Sequence, residues 1–289
     1  MPTASPPRRR ARRAAWEAGL EARAAGLAAR WRLCGLAPLA RGGTGARLYA
    51  AEAPAGPAVL KLALPGQAVQ AEADALAGFG GRGAVRLLAA DPAEGALLLE
   101  RLHPGTPLRA LAERDDDAAT LAAAGVMRAL RRPVPVGALL GEATGWVRLL
   151  HRAMAESWPL PRPMLDRAAG LFRDLAASAP AEPVLLHGDL HHDNILADGD
   201  AWRAIDPRGL AGDPAFEAAA LLRNPPGSPL VARAPRRIAI LAEATGLDPR
   251  RIAGWGYASA VLAAAWAVED GVDTAPWLSA AEALAAAAA

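Results

Sequence analysis

The feature that most constrains the fold is a polar segment enclosed by short apolar runs. It reads 187-HGDLHHDNIL-196, and 202-WRAIDPRG-209 follows it closely. Short apolar runs that are bounded by glycine, proline and aspartate are typical of buried strands joined by turns. The segment therefore predicts a strand–loop–strand unit that carries Asp189, Asn194 and Asp206.

These three side chains are the set that phosphoryl transfer needs. Asp189 can accept the proton of an attacking hydroxyl, and Asn194 and Asp206 offer the hard oxygen ligands that suit Mg²⁺ better than Zn²⁺. Protein kinases use the same five-residue spacing between Asp and Asn in H-R-D-x-x-x-x-N, followed by the Asp of D-F-G. His187 is expected to organise the loop by hydrogen bonding rather than to transfer protons.

The chain contains one lysine, Lys61, among 32 lysine and arginine residues. It lies in the apolar run 58-AVLKLAL-64, which predicts a strand. A compact ammonium fits between nucleotide phosphates and a carboxylate, whereas a planar guanidinium needs a different pocket. Glu72, on the helix predicted at 67–79, is the expected carboxylate partner, with Asp74 as a competitor. The alternative is that the single lysine stands at this position by chance, and its kinase-like position makes chance the weaker explanation.

The first third of the chain predicts a small antiparallel sheet. A helix at 14–33 precedes strands at 36–41, 46–53 and 57–64, the helix at 67–79, and strands at 84–90 and 95–102. This is the element order of a kinase N-lobe. Backbone N–H groups of the turn at Gly42, Gly43, Thr44 and Gly45 are candidates for phosphate contacts, and a plain hairpin turn is the alternative. The stretch 99-LERLHPG-105 predicts the hinge, with Glu100 and Leu102 as nucleotide-binding candidates.

Beyond residue 107 the pattern is mainly helical, interrupted by the strand–loop–strand unit. Predicted helices cover 107–113, 115–131, 142–157, 163–178, 214–223, 230–245, 249–269 and 276–288. We therefore expect an α+β, protein kinase-like bilobal fold, with a five-stranded antiparallel sheet plus helix in a small N-lobe and a larger, mainly helical C-lobe. The predicted division is a disordered basic arm at 1–13, a nucleotide-binding N-lobe at 14–102 and a C-lobe at 103–289.

Composition limits the partners and the cellular compartment that are expected for the protein. The formal net charge of +2 argues against a nucleic-acid partner, even though the first residues include 5-SPPRRRARR-13. Cys34 is the one cysteine in this sequence, which fits a reducing compartment. No apolar run reaches the roughly 18 residues that a membrane span needs. We expect a cytoplasmic protein, either a monomer or a homodimer, that does not associate with membranes.

The two motifs match a known family. HGDLHHDNIL with AIDPRGLAGDPAFEAAALLRNP resembles the aminoglycoside phosphotransferase superfamily, and within it the aminoglycoside/hydroxyurea antibiotic resistance kinases, a group that includes streptomycin 6-kinases. The resemblance covers roughly residues 20–270. It implies ATP and Mg²⁺ as cofactors, with Asp189 as the catalytic base, Asn194 and Asp206 on magnesium, Lys61 on the ATP phosphates, and Glu72 as the partner of that lysine.

The resemblance also implies the reaction, which is transfer of the γ-phosphoryl group of ATP to a hydroxyl of a cationic, aminoglycoside-like substrate. No A-P-E-like segment follows Asp206, which favours a small-molecule substrate over a protein. Arg208 stands where many relatives are expected to carry lysine. A metabolite kinase that acts on a sugar or an amino alcohol is one alternative, and a catalytically silent nucleotide-binding protein is another.

A cationic substrate requires acidic side chains in the C-lobe. Glu217, Glu269 and Asp270 are candidates from a larger set that includes Glu142, Glu243 and Asp273, although solvated helix faces commonly carry such residues. Trp255 shares a helix face with Trp266 and is a candidate for stacking on a sugar ring, with core packing as the alternative. Asp213, before Pro214, either caps a helix or ties down the catalytic loop.

Overall fold

The computed structural model describes residues 13–39, 45–135 and 141–288. Most of the basic arm predicted at 1–13 lies outside the described residues, and so do Gly42, Gly43 and Thr44 of the predicted phosphate turn.

The N-lobe is built on one antiparallel sheet in the order β1-β2-β3-β5-β4. Its strands are β1 (Cys34–Pro38), β2 (Arg47–Ala53), β3 (Gly56–Leu62), β4 (Leu87–Asp91) and β5 (Ala96–Glu100), with helices α1 (Leu20–Trp31) and α2 (Gln67–Phe79). The predicted order, with one helix after the third strand, is confirmed. The strand predicted at 84–90 begins later because Ala84 instead pairs with Ala204 of the C-lobe.

Successive side chains of β3 point to alternate faces of the sheet, and this decides which of them reach the cleft between the lobes. Leu60 and Leu62 are fully buried against the N-terminal helix, where they contact the same core as Leu27. Because successive side chains of a strand point to opposite faces, Lys61 projects from the other face, toward α2. A shift of one residue in the register of β3 would therefore bury the lysine against α1.

The C-lobe is organised around one long buried helix, α9. Its helices are α3 (Arg109–Ala112), α4 (Asp116–Leu130), α5 (Val147–Ala155), α6 (Arg162–Ala177), α7 (Ala219–Arg223), α8 (Ala234–Thr245), α9 (Pro249–Asp270) and α10 (Ala275–Ala285). The sequence of α9 is apolar on all sides, as expected for a helix packed against α6, α7, α8 and α10. Among the described residues, no helix combines the length and apolar character needed to cross a bilayer.

Two small sheets carry the loops between these helices. One has the order β11-β10-β6 and consists of β6 (Pro104–Pro107), β10 (Ile195–Asp198) and β11 (Ala201–Ala204). The other has the order β7-β9-β12-β8 and consists of β7 (Arg132–Pro133), β8 (Gly141–Glu142), β9 (Val184–Leu186) and β12 (Leu210–Gly212). The sequence predicted only two of these strands, because runs of two to four residues carry little periodicity. The helices predicted at 142–157 and 214–223 begin as 3₁₀ turns, Ala143–Trp146 and Pro214–Ala218.

The lobes also meet away from the hinge. The N–H of Val85, between α2 and β4, donates to the carbonyl of Ala204 at 2.8 Å. The N–H of Ala204 donates in turn to the carbonyl of Gly83 at 2.8 Å. This bridge of three residues fixes the N-lobe onto β11, immediately before Asp206.

Candidate active site

A cleft of about 630 Å³ lies between the two lobes, a volume that suits a small ligand or cofactor. It gathers the predicted residues Lys61, Glu72, Glu100, Leu102, Asp189, Asn194 and Asp206. A second recess of about 310 Å³ shares Lys61, Glu72 and Asp206 with the cleft and extends to Gly45. Residues that are far apart in the sequence thus line one continuous space.

Lys61 connects the two lobes through two carboxylates. Its Nζ lies 2.7 and 2.8 Å from the carboxylate oxygens of Glu72 and 2.5 Å from Oδ1 of Asp206. Burial opposes the charge on Lys61, but the two carboxylates outweigh burial and raise the pKa of the amine. Burial also raises the pKa of Glu72 to about 7, against the attraction of Lys61. The competing candidate Asp74 accepts a hydrogen bond from Gln70 of its own helix.

Asp206 reaches Lys61 from a left-handed backbone conformation, with φ of 60°. Aspartate is one of the few residues other than glycine that adopt this region readily. The chain then passes very close to α2 at Gly209, where an added Cβ would lie 2.3 Å from the carbonyl oxygen of Ala71. Only glycine allows this approach, which keeps Glu72 within reach of Asp206 and Lys61.

Asp189 lies across the cleft and contacts two guanidinium groups. Nη2 of Arg223 is 3.2 Å from Oδ1, and Nη2 of Arg208 is 3.3 Å from Oδ2. Burial would raise the pKa of Asp189, but Arg223, His191 and Arg208 outweigh burial and hold this pKa below its usual value. Asp189 is therefore ionised at neutral pH and can accept a hydrogen bond from a hydroxyl.

Two buried side chains hold the loop that presents Asp189. Nε2 of His187 lies 2.7 Å from the carbonyl oxygen of Ile205, so Nε2 carries the proton and Nδ1 accepts the N–H of Asp189 at 3.2 Å. Burial lowers the pKa of His187 to about 4, so its ring is neutral. Glu217 accepts the N–H groups of His187 and Gly188 at 2.7 and 3.0 Å. These bonds satisfy backbone donors that would otherwise be buried without partners.

Asn194 and Asp206 supply a donor set that fits Mg²⁺. Nδ2 of Asn194 donates to the carbonyl of Asp189 at 2.9 Å, which leaves its amide oxygen for another partner. The Asp206 side chain is 44% exposed and uses Oδ1 for Lys61, so Oδ2 remains. Mg²⁺ typically takes one or two carboxylates and completes its shell with phosphate and water. Within the described ranges, no group of three His, Cys, Asp or Glu side chains could hold a metal ion.

Two predicted substrate-binding residues lie away from the cleft. Trp255 is 1% exposed and packs edge-on against Phe172 and Phe216. Its Nε1 donates to Oδ2 of Asp213 at 2.7 Å. Glu217 is 5% exposed and faces the loop, as described above. Burial excludes both side chains from direct contact with a substrate, and core packing is the explanation that holds for Trp255.

Asp213 caps a 3₁₀ turn and also attaches that turn to helix α9. Oδ1 accepts the N–H of Ala215, which caps the 3₁₀ turn Pro214–Ala218, and Oδ2 accepts bonds from Arg251 and Trp255 of α9. These bonds attach the segment to α9. The tie to the catalytic loop that the sequence offered for Asp213 is made one turn later, by Glu217.

Glu269 and Asp270 end helix α9 and are exposed. Glu269 forms a salt bridge with Arg152 of α5. Ser259 of the same helix contacts Arg223, and the ten or so residues that follow it correspond to about 15 Å along the axis. The two acidic residues therefore lie far from Asp189, and a role in substrate binding stays a prediction.

The sequence interpretation missed Arg223, which is only 7% exposed. Its Nε donates to Oγ of Ser259 at 2.9 Å, and its guanidinium lies over the ring of Trp277. The signal was present in 218-AAALLRNP-225, because an arginine inside an apolar helical run is expected to be buried and to require a partner.

Comparison with known proteins assigns this chain to a family. Residues 30–271 match the model of the aminoglycoside/hydroxyurea antibiotic resistance kinases. The chain belongs to this family. A streptomycin 6-kinase from Streptomyces glaucescens is 36% identical over 267 residues, which cover 89% of this chain and 86% of that protein. A hydroxyurea phosphotransferase from Kitasatospora aureofaciens is 37% identical over 88% of this chain and 74% of that protein.

Solved structures confirm the fold of this member of the family. A choline kinase from Streptococcus pneumoniae has a TM-score of 0.64 and 16% identity over 90% of this chain and 96% of its own. A thermostable mutant of the aminoglycoside phosphotransferase APH(4)-Ia, in a ternary complex with ADP and hygromycin B, has a TM-score of 0.63 and 16% identity over 91% of this chain and 96% of its own. The predicted bilobal kinase fold is therefore confirmed, and membership of the family confirms the predicted class of enzyme, a phosphotransferase with a hydroxyl acceptor.

Proposed function

We propose that this kinase transfers the γ-phosphoryl group of ATP to a hydroxyl of an aminoglycoside-like substrate, with streptomycin as the first candidate. The observation that carries the proposal is the contact of the Lys61 amine with both Glu72 and Asp206, in the same cleft as Asp189 and Asn194. The similarity to streptomycin 6-kinases over most of the chain supports the choice of substrate.

In this proposal Asp189 orients the attacking hydroxyl and accepts its proton. The low pKa of Asp189 is compatible with this role, because the loose transition state of phosphoryl transfer makes little demand on base strength. Lys61 contacts the phosphates while Glu72 fixes its amine. Asn194 and Asp206 would hold Mg²⁺, which neutralises charge on the phosphates when it is bound.

In this proposal the nucleotide base lies at the hinge, beside Glu100 and Leu102, and the phosphates lie between Lys61 and Gly45. The division into lobes at 102/103 is supported by β6, which pairs with β10 of the C-lobe directly after the hinge. The predictions of a cytoplasmic setting, a monomer or homodimer and the absence of a nucleic-acid partner remain predictions.

The direct test is a transfer assay with Mg-ATP and streptomycin, in which phosphorus NMR of the product locates the modified hydroxyl. We expect streptomycin to be phosphorylated and Asp189→Asn to lower turnover by about 10²–10⁴-fold while nucleotide binding persists. Asp166→Asn, on the exposed face of α6, is the matched control and should keep its turnover. Normal turnover of the Asp189 variant would contradict the assignment of the base.

Hydroxyurea is a second candidate acceptor, because its phosphotransferase is as similar to this chain as the streptomycin kinase is. It belongs in the same assay, with sugars and amino alcohols such as choline as further acceptors. Transfer to one of these compounds but not to streptomycin would replace the substrate and leave the enzyme class unchanged. Binding of Mg-ATP without transfer to any compound would favour a silent nucleotide-binding protein.

A further inference from the structure

The two oxygens of Asp189 are not equivalent, and both already have partners. Oδ1 accepts a hydrogen bond from Arg223, and Oδ2 accepts bonds from Nε and Nη2 of Arg208 at 3.4 and 3.3 Å. A carboxylate offers about four acceptor sites, and Arg208 already donates twice to Oδ2, so an acceptor hydroxyl that binds to Oδ2 must displace the guanidinium of Arg208. Which oxygen the hydroxyl meets decides how the acceptor is aligned.

Arg223 is the fixed partner. Its side chain is 9% exposed, and Ser259 and Trp277 hold it from two further directions. Moving it away from Asp189 would leave a buried guanidinium without its carboxylate, which is strongly unfavourable. Arg223 therefore stays on Oδ1 when a ligand binds.

Arg208 is the displaceable partner. Its side chain is 56% exposed, so water can replace Asp189 at little cost. Its bonds to Oδ2 are 3.3 and 3.4 Å long, close to the 3.2 Å of Arg223, so exposure and not bond length distinguishes the two guanidinium groups. Its backbone, in contrast, is fixed, because the N–H of Arg208 donates to the carbonyl of His187 at 2.7 Å. The side chain of Arg208 can therefore reorient while its backbone stays in place.

The second position that the Arg208 side chain can reach is the region proposed for the ATP phosphates. Arg208 follows Asp206 by two residues and lines both the cleft and the smaller recess, together with Lys61. A guanidinium in this position matches the geometry of phosphate oxygens.

We infer that Arg208 caps Oδ2 of Asp189 in the absence of nucleotide and moves to the terminal phosphate of ATP, which frees Oδ2 for the acceptor hydroxyl. This inference rests on the proposed function. It makes Arg208 a phosphate-binding residue and makes Oδ2 the working oxygen of the base. It also predicts that ATP strengthens binding of the acceptor, whereas ADP, which lacks the terminal phosphate, does not.

Calorimetry tests this inference with ADP and the non-hydrolysable β,γ-imido analogue of ATP, both with Mg²⁺. For Arg208→Gln we expect affinity for the imido analogue to fall about tenfold, with affinity for ADP nearly unchanged. Arg208→Lys should retain part of the preference. Arg114→Gln is the matched control, because Arg114 is exposed and donates to the carbonyl of Ala110 in the preceding helix, α3.

Streptomycin binding gives a second readout. In the wild type, the imido analogue should increase streptomycin affinity and ADP should not. In Arg208→Gln, where Oδ2 is always free, streptomycin should bind equally well with either nucleotide. Arg223→Lys should lower turnover and leave the preference for the imido analogue intact.

The outcomes separate the inference from the proposed function. A wild type that phosphorylates streptomycin, beside an Arg208→Gln variant that keeps the full preference for the imido analogue, overturns the inference alone. Loss of the preference for the imido analogue in Arg223→Lys, and not in Arg208→Gln, would reverse the roles of the two arginines and overturn the inference as well. A wild type that binds neither nucleotide overturns both.

Discussion

The close approach of Gly209 to α2 gives the sharpest test of how the site is held together. Gly209→Ala introduces a Cβ that would lie 2.3 Å from the carbonyl oxygen and 2.8 Å from the carbonyl carbon of Ala71. Both contacts are with helix backbone, which cannot rotate away as a side chain does. The helix must therefore retreat, and Glu72, the next residue, moves away from Lys61.

The expected cost has two parts, and a second glycine separates them. Alanine at a φ of 64° pays about 1–2 kcal/mol for the left-handed conformation. Gly271, at the end of α9, has a φ of 67°, and an added Cβ there would meet nothing within 4 Å. Gly271→Ala should therefore show this first cost alone. Gly209→Ala should add about 1–3 kcal/mol for overpacking.

Denaturant unfolding and the transfer assay together measure both effects. Gly271→Ala should lose about 1–2 kcal/mol of unfolding free energy and keep wild-type turnover. Gly209→Ala should lose about 2–5 kcal/mol, the sum of the two costs, and also lose turnover because the contact between Lys61 and Glu72 is stretched. Equal losses of stability in the two variants, with wild-type turnover in both, would refute the argument that this glycine sets the position of α2.

Three further outcomes follow from the site. Lys61→Arg should lower turnover by about 10²-fold or more, because the planar guanidinium does not fit the space of the ammonium, and a wild-type rate in a kinetic assay would contradict this. Trp255→Phe should lose about 1.5–3 kcal/mol in denaturant unfolding, through its bond to Asp213, and leave KM for the acceptor unchanged. Burial raises the pKa of Glu217 from 4.5 to about 7, so between these pH values the folded wild type retains a proton that the unfolded chain has released. The stability of Glu217→Gln relative to wild type should therefore increase by about 1.4 kcal/mol per pH unit over this window, and a constant difference between their unfolding curves would contradict the shift.

The sequence alone predicted the fold and the residues that line the cleft, because both leave local patterns. Lys61 lies in an alternating strand, and Asp189, Asn194 and Asp206 lie in a loop between short apolar runs. Such patterns are set by the periodicity of strands and by turn residues, which act over a few positions.

Contacts that depend on tertiary packing could not be predicted in this way. Glu217 was expected at a substrate and instead binds the backbone of residues 29 and 30 positions earlier. Arg223 meets Asp189 across 34 positions. Their apolar neighbours in the sequence indicate burial, yet only the packing of the helices determines which polar group each of them meets.

The bridge between Gly83, Val85 and Ala204 limits how the enzyme can open. Together with the hinge it provides a second backbone attachment between the lobes, beside the side-chain contact of Lys61 with Asp206. Rotation of the N-lobe about the line through the hinge and the bridge keeps these backbone hydrogen bonds and requires only that Lys61 leaves Asp206, whereas sliding of the lobes would break the backbone bonds. Entry and exit should therefore occur at the rim that lies farthest from the axis.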